Sequence, residues 1–530
     1  MCQITHMGRR TSDDVADWLP TLAPSPIRER QHRSFPKTIE PHEITRVLAG
    51  YAAGARRCRE GGLDGCEVIA WEHLVDQFLS PVLNRRTDQY GGSLENRCRF
   101  AIEVFAAIRD AVGPDYIVGI RMTGDEHVRG GRDPDECVEI ARILAASGLV
   151  DFFNVVAGTL GTDNDVAYTI PNMDIRRAPF SGWRGACGPR PGWPVFQASR
   201  IPDLSTARWA LDQGMVDMVG MTRAHIADPH IVPKLTRGEE HRIRPCVGMG
   251  YCIDRIYQGK DALCIHNAAI GREATMPHEV PPSDGPKRRV VVIGGGVGGM
   301  EAARVARLRG HEVILLEATD RLGGQINLAA KAPGREEIAG IAGWLAGELE
   351  LLGVEVRFNC YAEADDVLEL RPDVVIVAAG DVPDTGFLDA GEDLVTSVWD
   401  VLGGYVEPSG SVLLYDDHGW HQGPSTAVAL ARAGVALEVV RQSAGRQLLE
   451  RVCRGECRAR DRPGGRRARH AAGGRSLPCA EGRLAQRRCG GCRGHGAWRP
   501  GGASHQSSRV ISAVPGRRRG ILAQHSCGDL

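Results

Sequence analysis

RPCVGMGYCIDRIYQGKDALC, Arg244 to Cys264, divides the chain into two parts of different rhythm. Before it, apolar runs of strand length alternate with helical periods. After it comes a Pro-rich linker, Pro277 to Pro286, and then a strand that opens into a glycine loop, VVVIGGGVGGM, Val290 to Met300. The dividing stretch carries three cysteines, spaced Cys246-x5-Cys252-x11-Cys264. Thiolates hold iron–sulfur clusters, and close spacing on one loop presents several ligands to one cluster. A full four-ligand run would carry another close cysteine, and Met249 stands in its place. Cys246, Cys252 and Cys264 are therefore expected to be metal ligands, set where electrons could pass between domains. The bland alternative is a group of buried structural thiols.

The totals narrow the class. At 530 residues the chain has room for several domains. Its formal net charge of −1 describes the whole chain and hides an uneven distribution. No apolar run reaches the ~18 residues of a membrane span. The N-terminus, MCQITHMGRRTSDD, lacks the charged-then-apolar order of a signal peptide. Sixteen cysteines without an export signal argue against a disulfide scaffold. These features lead us to expect a cytoplasmic protein with no membrane and no nucleic-acid partner.

Outward from the cysteine stretch, the first part reads as α/β. CQITHM, Cys2 to Met7, is strand-like. A helix follows with Ile44, Val47, Leu48, Tyr51, Ala52 and Ala55 at helical spacing, stopped by Gly61-Gly62. GCEVIA is a buried-type strand, and the alternation repeats through strands at Tyr116–Met122, Asp151–Ala157, Pro194–Ser199 and Val216–Met221. Strands alternating with helices point to parallel β/α architecture. The closed form of this pattern is the (β/α)8 barrel, so the expectation is a TIM-type barrel lacking its first two strands.

The second part opens with a dinucleotide-type turn. RVVVIGGG is a strand, Gly294-x-Gly296-x-x-Gly299 the turn, and HEVILLE the next strand, ending in Glu317. The motif is weak alone, but here a strand precedes it, a helix follows, and an acid ends the second strand. The first two glycines admit a pyrophosphate to the helix N-terminus, and the third lets helix and strand pack closely. Glu317 would accept from an adenosine ribose, which favours FAD, ADP or NAD over NADP. SVLLYDDHGWHQG, Ser411 to Gly423, starts like a further nucleotide-binding strand but lacks the glycine motif.

From Arg451 onward the character changes: 18 Arg and 15 Gly, with no Phe, Tyr, Met, Asn or Lys. The change falls just after the strand-like GVALEVVRQ. We read it as out-of-frame translation of GC-rich coding DNA, or disorder, in preference to a basic nucleic-acid tail, and assign it no function.

Taken in order, QITHMGRR, the stretch Gly62 to Phe100, GIRM, DMVGMTRAHIADP, RPCVGMGYC, GGGVGG and RLGGQ resemble the trimethylamine dehydrogenase and dienoyl-CoA reductase branch of the old yellow enzyme family. The likeness covers roughly the first 440 residues. It implies an FMN-binding barrel over residues 1–240, an iron–sulfur loop and linker over 241–286, a Rossmann-like FAD/NAD(P)-binding domain over 287–450, and a tail over 451–530. The implied cofactors are FMN, a [4Fe-4S] cluster and FAD or ADP. Gln3 would bond the flavin pyrimidine edge and Arg121 would sit near N1. Arg223, with backbone from Ala198 to Arg200 and at Gly220, would bind the phosphate. Arg321 and Gln325 would join Gly294, Gly296, Gly299 and Glu317 at the adenine nucleotide.

Departures from the family pattern bear on the reaction. WEHL places His73 at the usual tyrosine proton-donor position and Glu72 beside it. NVVAGTLGTDND, Asn154 to Asp165, lacks the histidine that dienoyl-CoA reductases carry after this strand. Alkene reduction needs a proton donor beside the hydride, and that donor set is altered. Amine oxidation instead needs negative charge for an iminium, from Glu72, and an aromatic face, from Trp71 or Trp18. THMGRRT, CVGMGYC and YDDHGWHQG look most like N-methylproline demethylases of stachydrine breakdown. The implied function is oxidative N-demethylation of a small methylated amino acid with release of formaldehyde, with Glu72 and His73 as catalytic residues. The electron acceptor would be an electron-transfer flavoprotein or NAD. The alternatives are an NAD(P)H-dependent enoate or 2,4-dienoyl-CoA reductase, and an inactive nucleotide-binding fragment.

Overall fold

The computed structural model of the chain describes residues 1–11, 19–175, 177, 193–383, 395–416, 419–441, 507–513 and 520–526, the last two segments as backbone. They fall into two compact units, Met1–Ala379 and Gly380–Leu530. Among the described residues no helix is long and apolar enough to cross a membrane.

The first unit is built on two parallel sheets. The larger contains β1 (Cys2–Ile4), β2 (Gly65–Ile69), β3 (Ile117–Thr123), β4 (Phe152–Val156), β5 (Val195–Gln197) and β6 (Met218–Val219), paired in chain order. Helices α1 (Pro41–Glu60), α3 (Leu94–Val112) and α4 (Pro134–Ala146) connect them, with the short α2 (Leu74–Leu79) after β2. The sequence at each helix end explains where it starts. Pro41 follows Glu40, whose carboxylate forms a capping box with Glu43. Ser93 and Asp133 accept the third-residue N–H of α3 and α4.

Period-two alternation divides each strand between two environments. On β3, Val118, Ile120 and Met122 are fully buried in the core that also takes Val47 and Tyr51 of α1 and Phe105 and Ile108 of α3. Gly119 and Arg121 point to the other face. A Cβ on Gly119 would lie 2.1 Å from the Phe152 ring, so glycine makes the space that ring occupies. Phe152 in turn stacks on Phe196 at 4.5 Å. This inner face places Glu67 opposite Gln3 and Gly119, and Arg121 opposite Asn154.

The smaller sheet contains β7 (Arg289–Ile293), β8 (Glu312–Leu316), β9 (Glu355–Arg357) and β10 (Val374–Val377), ordered β9-β8-β7-β10 and all parallel. Its core gathers Val290, Val292, Met300, Leu315 and Leu345, together with Met173 and Val247 from the first part of the chain. The cysteine loop is thus packed onto the second fold. Arg242 reinforces the junction with two bonds to Glu348, at 2.9 and 3.0 Å. This is the α/β architecture expected from the sequence, a parallel β/α sheet followed by a Rossmann-like fold.

In the second unit, Ser411–Asp416 runs parallel to Ala436–Arg441 across the helix Gln422–Arg432. Two strands from the Arg-rich tail, Ser507–Ala513 and Gly520–Ser526, join that sheet antiparallel. Trp18, Asp417 and His418 lie outside the described residues.

Candidate active site

The C-terminal ends of the larger sheet's strands open into a cavity of about 220 Å³. Trp71 follows β2, Arg121 lies in the C-terminal half of β3, Ala198 to Ile201 follow β5, and Gly220 to Ala224 follow β6. Cys246 and Gly248 close one side. Loops at this end of a parallel β/α sheet carry the ligand sites, the last two commonly holding phosphate. The final loops touch closely here: a Cβ on Gly220 would lie 2.5 Å from that of Ala198, and Gly220 N–H donates to Gln197 O at 2.7 Å.

Two guanidinium groups face this region with less anionic company than their charge calls for. Arg223 donates to Pro171 O at 2.6 Å, and burial holds its pKa down, with Cys246 and Cys252 opposing. Burial likewise depresses Arg121, opposed only by Glu67, and Arg121 Nε is buried with no partner. An anion would restore what burial costs these groups. The residues fit FMN, whose phosphate suits Arg223 and the loop backbone and whose electron-rich ring edge suits Arg121.

Arg200 does something else. It lines the cavity with a left-handed backbone, φ +50°, while its guanidinium donates to Ile175 O and Met173 O and pairs with Glu337 at 2.9 Å. Its side chain ties the first part of the chain to the nucleotide fold through Glu337. Gln3 Nε2 donates to Glu67, whose other oxygen accepts from Asn154 at 2.8 Å. Glu67 and Asn154 escaped the sequence reading. Their signal was a lone polar residue at an inward position in GCEVIA and in FFNVV.

Trp71 lines the cavity, but its Nε1 donates to Gly158 O at 3.0 Å and the Arg121 guanidinium stands 5.4 Å from its ring. Glu72 is the more unusual residue. It is 3% exposed and adopts φ +60°, a conformation side chains rarely take. Its N–H donates to Asp76 Oδ2 at 2.9 Å, and its carbonyl accepts from Gln77 at 2.9 Å. Asp76 is held in turn by the fully buried Arg132, which also binds Glu126 at 2.8 Å. The Glu72 carboxyl accepts from Leu160 N–H at 3.3 Å, while Arg9 stands 3.9 Å off, beyond hydrogen-bond range of Oε2. Burial pushes its pKa up to about 7, against the pull of Arg10 and Arg9. Such a carboxyl exchanges a proton near neutral pH. His73 lies 2.7 Å from Thr5 Oγ1, and burial, with Arg10 adding, takes its pKa down to about 4, so the ring is neutral. Glu72 and His73 flank the cavity wall through Trp71 and are not themselves among its lining residues.

The glycine turn is built for close approach. Gly294 has φ +103°, and a Cβ there would lie 2.3 Å from Ala378 O; one on Gly299 would lie 1.9 Å from Gly294 O. Gly296 opens the helix Val297–Leu308 and bridges to Gly323 of RLGGQ. Glu317 accepts from Gly295 N–H at 2.6 Å and from Thr319 N–H at 2.8 Å, and Oε2 keeps a lone pair for a ribose hydroxyl. Arg321 is exposed beside this turn, and Gln325 caps the short helix Ile326–Ala329. Gly294, Gly296, Gly299 and Glu317 therefore meet at one place, the geometry of an adenine-nucleotide site.

Cys246, Cys252 and Cys264 also come together. Burial raises the Cys252 and Cys264 thiols, and the neighbouring sulfurs add to it. His266 N–H reaches Cys264 Sγ at 3.4 Å. Among the described residues no three His, Cys, Asp or Glu side chains are set to hold a single metal ion. A polynuclear cluster asks for wider sulfur spacing, one thiolate to each iron. Met249, at the fourth place, packs against the nucleotide-fold core, and its Sδ accepts from Arg335 Nη2 at 3.1 Å. A four-thiolate [4Fe-4S] site does not fit this loop.

Comparison with known proteins defines the class. Residues 1–242 match the NADH:flavin oxidoreductase / NADH oxidase family and residues 257–396 match the pyridine nucleotide-disulphide oxidoreductase domain. The chain belongs to the NADH:flavin oxidoreductase / NADH oxidase family, in a form that carries a second, FAD/NAD-type domain. Among its relatives, a probable N-methylproline demethylase from Rhizobium meliloti (strain 1021) is 48% identical over 440 residues, 83% of this chain. An N,N-dimethylglycine/sarcosine dehydrogenase from Chromohalobacter salexigens is 51% identical over 449 residues, also 83% of this chain. The chain spans 65% of the length of each of these two relatives. The solved histamine dehydrogenase from Rhizobium sp. 4-9 superposes with a TM-score of 0.74 at 26% identity, over 83% of this chain and 66% of that one.

Proposed function

We propose that the chain is the catalytic part of a flavin-dependent oxidoreductase that removes an N-methyl group from a small amino acid, N-methylproline or a close analogue. The observation that carries this is the pairing of a cavity suited to FMN with relatives, near half identical, named for N-methylated amino acids. Bound FMN would supply the two-electron acceptor. The substrate methyl carbon gives up hydride, leaving an iminium; water adds, and the amine departs with formaldehyde and a proton.

The chain's own residues prepare that exchange. Arg223 and the backbone at Ala198, Arg200 and Gly220 anchor the phosphate. Arg121 and Gln3 hold the ring edge. Glu72, with its pKa about 7, takes the ammonium proton so that the amine lone pair is free to support hydride loss. His73 stays neutral and orients through Thr5. Gly294, Gly296, Gly299, Glu317, Arg321 and Gln325 hold FAD or ADP. Cys246, Cys252 and Cys264 hold an iron–sulfur cluster, and an electron-transfer flavoprotein or NAD takes the electrons.

The test is substrate choice. The FMN-loaded chain, with an artificial electron acceptor, should release formaldehyde from N-methylproline and none from proline. Oxidation of NADH by an enoyl thioester, with no formaldehyde from any N-methyl amino acid, would assign the alkene reductase reading instead.

A further inference from the structure

We propose that Cys246, Cys252 and Cys264 hold a three-iron [3Fe-4S] cluster, with Met249 and Arg335 closing the corner a fourth iron would occupy. This rests on the reading above that the triad binds an iron–sulfur cluster at all.

Each iron of such a cluster needs one terminal ligand from the protein, normally a thiolate. The loop supplies three. The fourth place, between Cys246 and Cys252 in sequence, is Met249, a neutral thioether and a weak donor to iron beside a thiolate. Its placement weakens it further. The side chain packs against the core of the nucleotide fold, and its sulfur is engaged by Arg335 Nη2 at 3.1 Å. A guanidinium has no lone pair and keeps its proton, so it offers iron nothing and sets a positive charge where another cation would have to enter. Arg335 is held there by its surroundings: it follows Gly334, whose Cα lies so near Asp174 that a Cβ would meet Oδ1 at 1.7 Å. Asp174 supports the Arg335 charge against burial.

His266 is a nitrogen donor close to the loop, its backbone N–H reaching Cys264 Sγ. Its ring stands edge-on to Trp344 at 5.1 Å, and its Nδ1 lies 3.1 Å from Pro245 O. Nε2 is buried without a partner, so His266 is the natural control.

The measurement is iron and sulfide per chain, with EPR, on protein purified without oxygen and with iron supplied. The expected result is about three irons, paramagnetic in the oxidised state. Met249→Cys should rise to about four irons and become EPR-silent when oxidised. Four irons in the unaltered chain overturn the three-iron cluster while leaving the cluster reading intact. If His266→Ala then lowers four to three, His266 is the fourth ligand. An iron count unchanged by Met249→Cys overturns the role given to Met249. No bound iron at all overturns both the three-iron cluster and the cluster reading.

Discussion

Asp76 Oδ2 accepts the backbone N–H of Glu72 at 2.9 Å, and through it the buried Arg132 fixes a left-handed residue at the edge of the cavity. Asp76→Ala should therefore act twice. It leaves the Arg132 guanidinium, 0% exposed, with Glu126 alone, which costs about 3–5 kcal/mol when a buried pair is broken. It also frees Glu72 to relax from φ +60°. Urea unfolding should show the stability loss, and turnover should fall more than FMN binding does.

Glu72 gives a pH dependence with a definite sign. Its folded pKa, about 7, lies above the ordinary 4.5, so the folded chain binds the extra proton between those values. Stability is therefore unpenalised below pH ~4.5 and declines as pH rises toward ~7, by an amount on the order of 3 kcal/mol. Glu72→Gln removes the titration. Its unfolding midpoint should gain on the unaltered chain from pH 5 to pH 8, while its turnover loses the rise with an apparent pKa near about 7.

The phosphate role of Arg223 is open to direct measurement. Arg223→Gln removes a charge-assisted bond worth about 1.5–3 kcal/mol, so the FMN dissociation constant should rise roughly 10- to 100-fold. Fluorescence quenching of FMN on binding reads this. Arg200→Gln should leave FMN affinity nearly unchanged and instead lower stability, because its guanidinium serves Glu337, Met173 and Ile175.

Gly299→Ala puts a Cβ 1.9 Å from Gly294 O, backbone that cannot yield without opening the turn. Adenine nucleotide released by acid from the purified variant should drop to a small fraction of that from the unaltered chain. FMN content should hold, since the two sites sit on different sheets.

Much of this was legible from residue pattern. Helix and strand periods located α1 and β2 to β4, because their apolar residues repeat at the period of the element that buries them. The glycine turn was legible because Gly299 answers to Gly294 O within the turn itself, although the contact of Gly294 with Ala378 comes from a later strand. Side-chain direction at long range was not. Nothing local says that Arg200 reaches Glu337, or that Met249 turns toward Arg335, since both depend on how distant segments meet. The same holds for Glu72, whose backbone is set by Asp76, Gln77 and a buried ion network from another loop. Trp71 was an aromatic in a suggestive place, and only the fold shows Arg121 over its ring.

The most direct test of the central claim is a single anaerobic turnover. The FMN-loaded chain is mixed with N-methylproline, and flavin absorbance and formaldehyde are followed together. The account predicts bleaching of the flavin with about one formaldehyde per flavin reduced. A flavin that stays oxidised with the amine, yet is bleached by NADH and restored by an activated alkene, would contradict it.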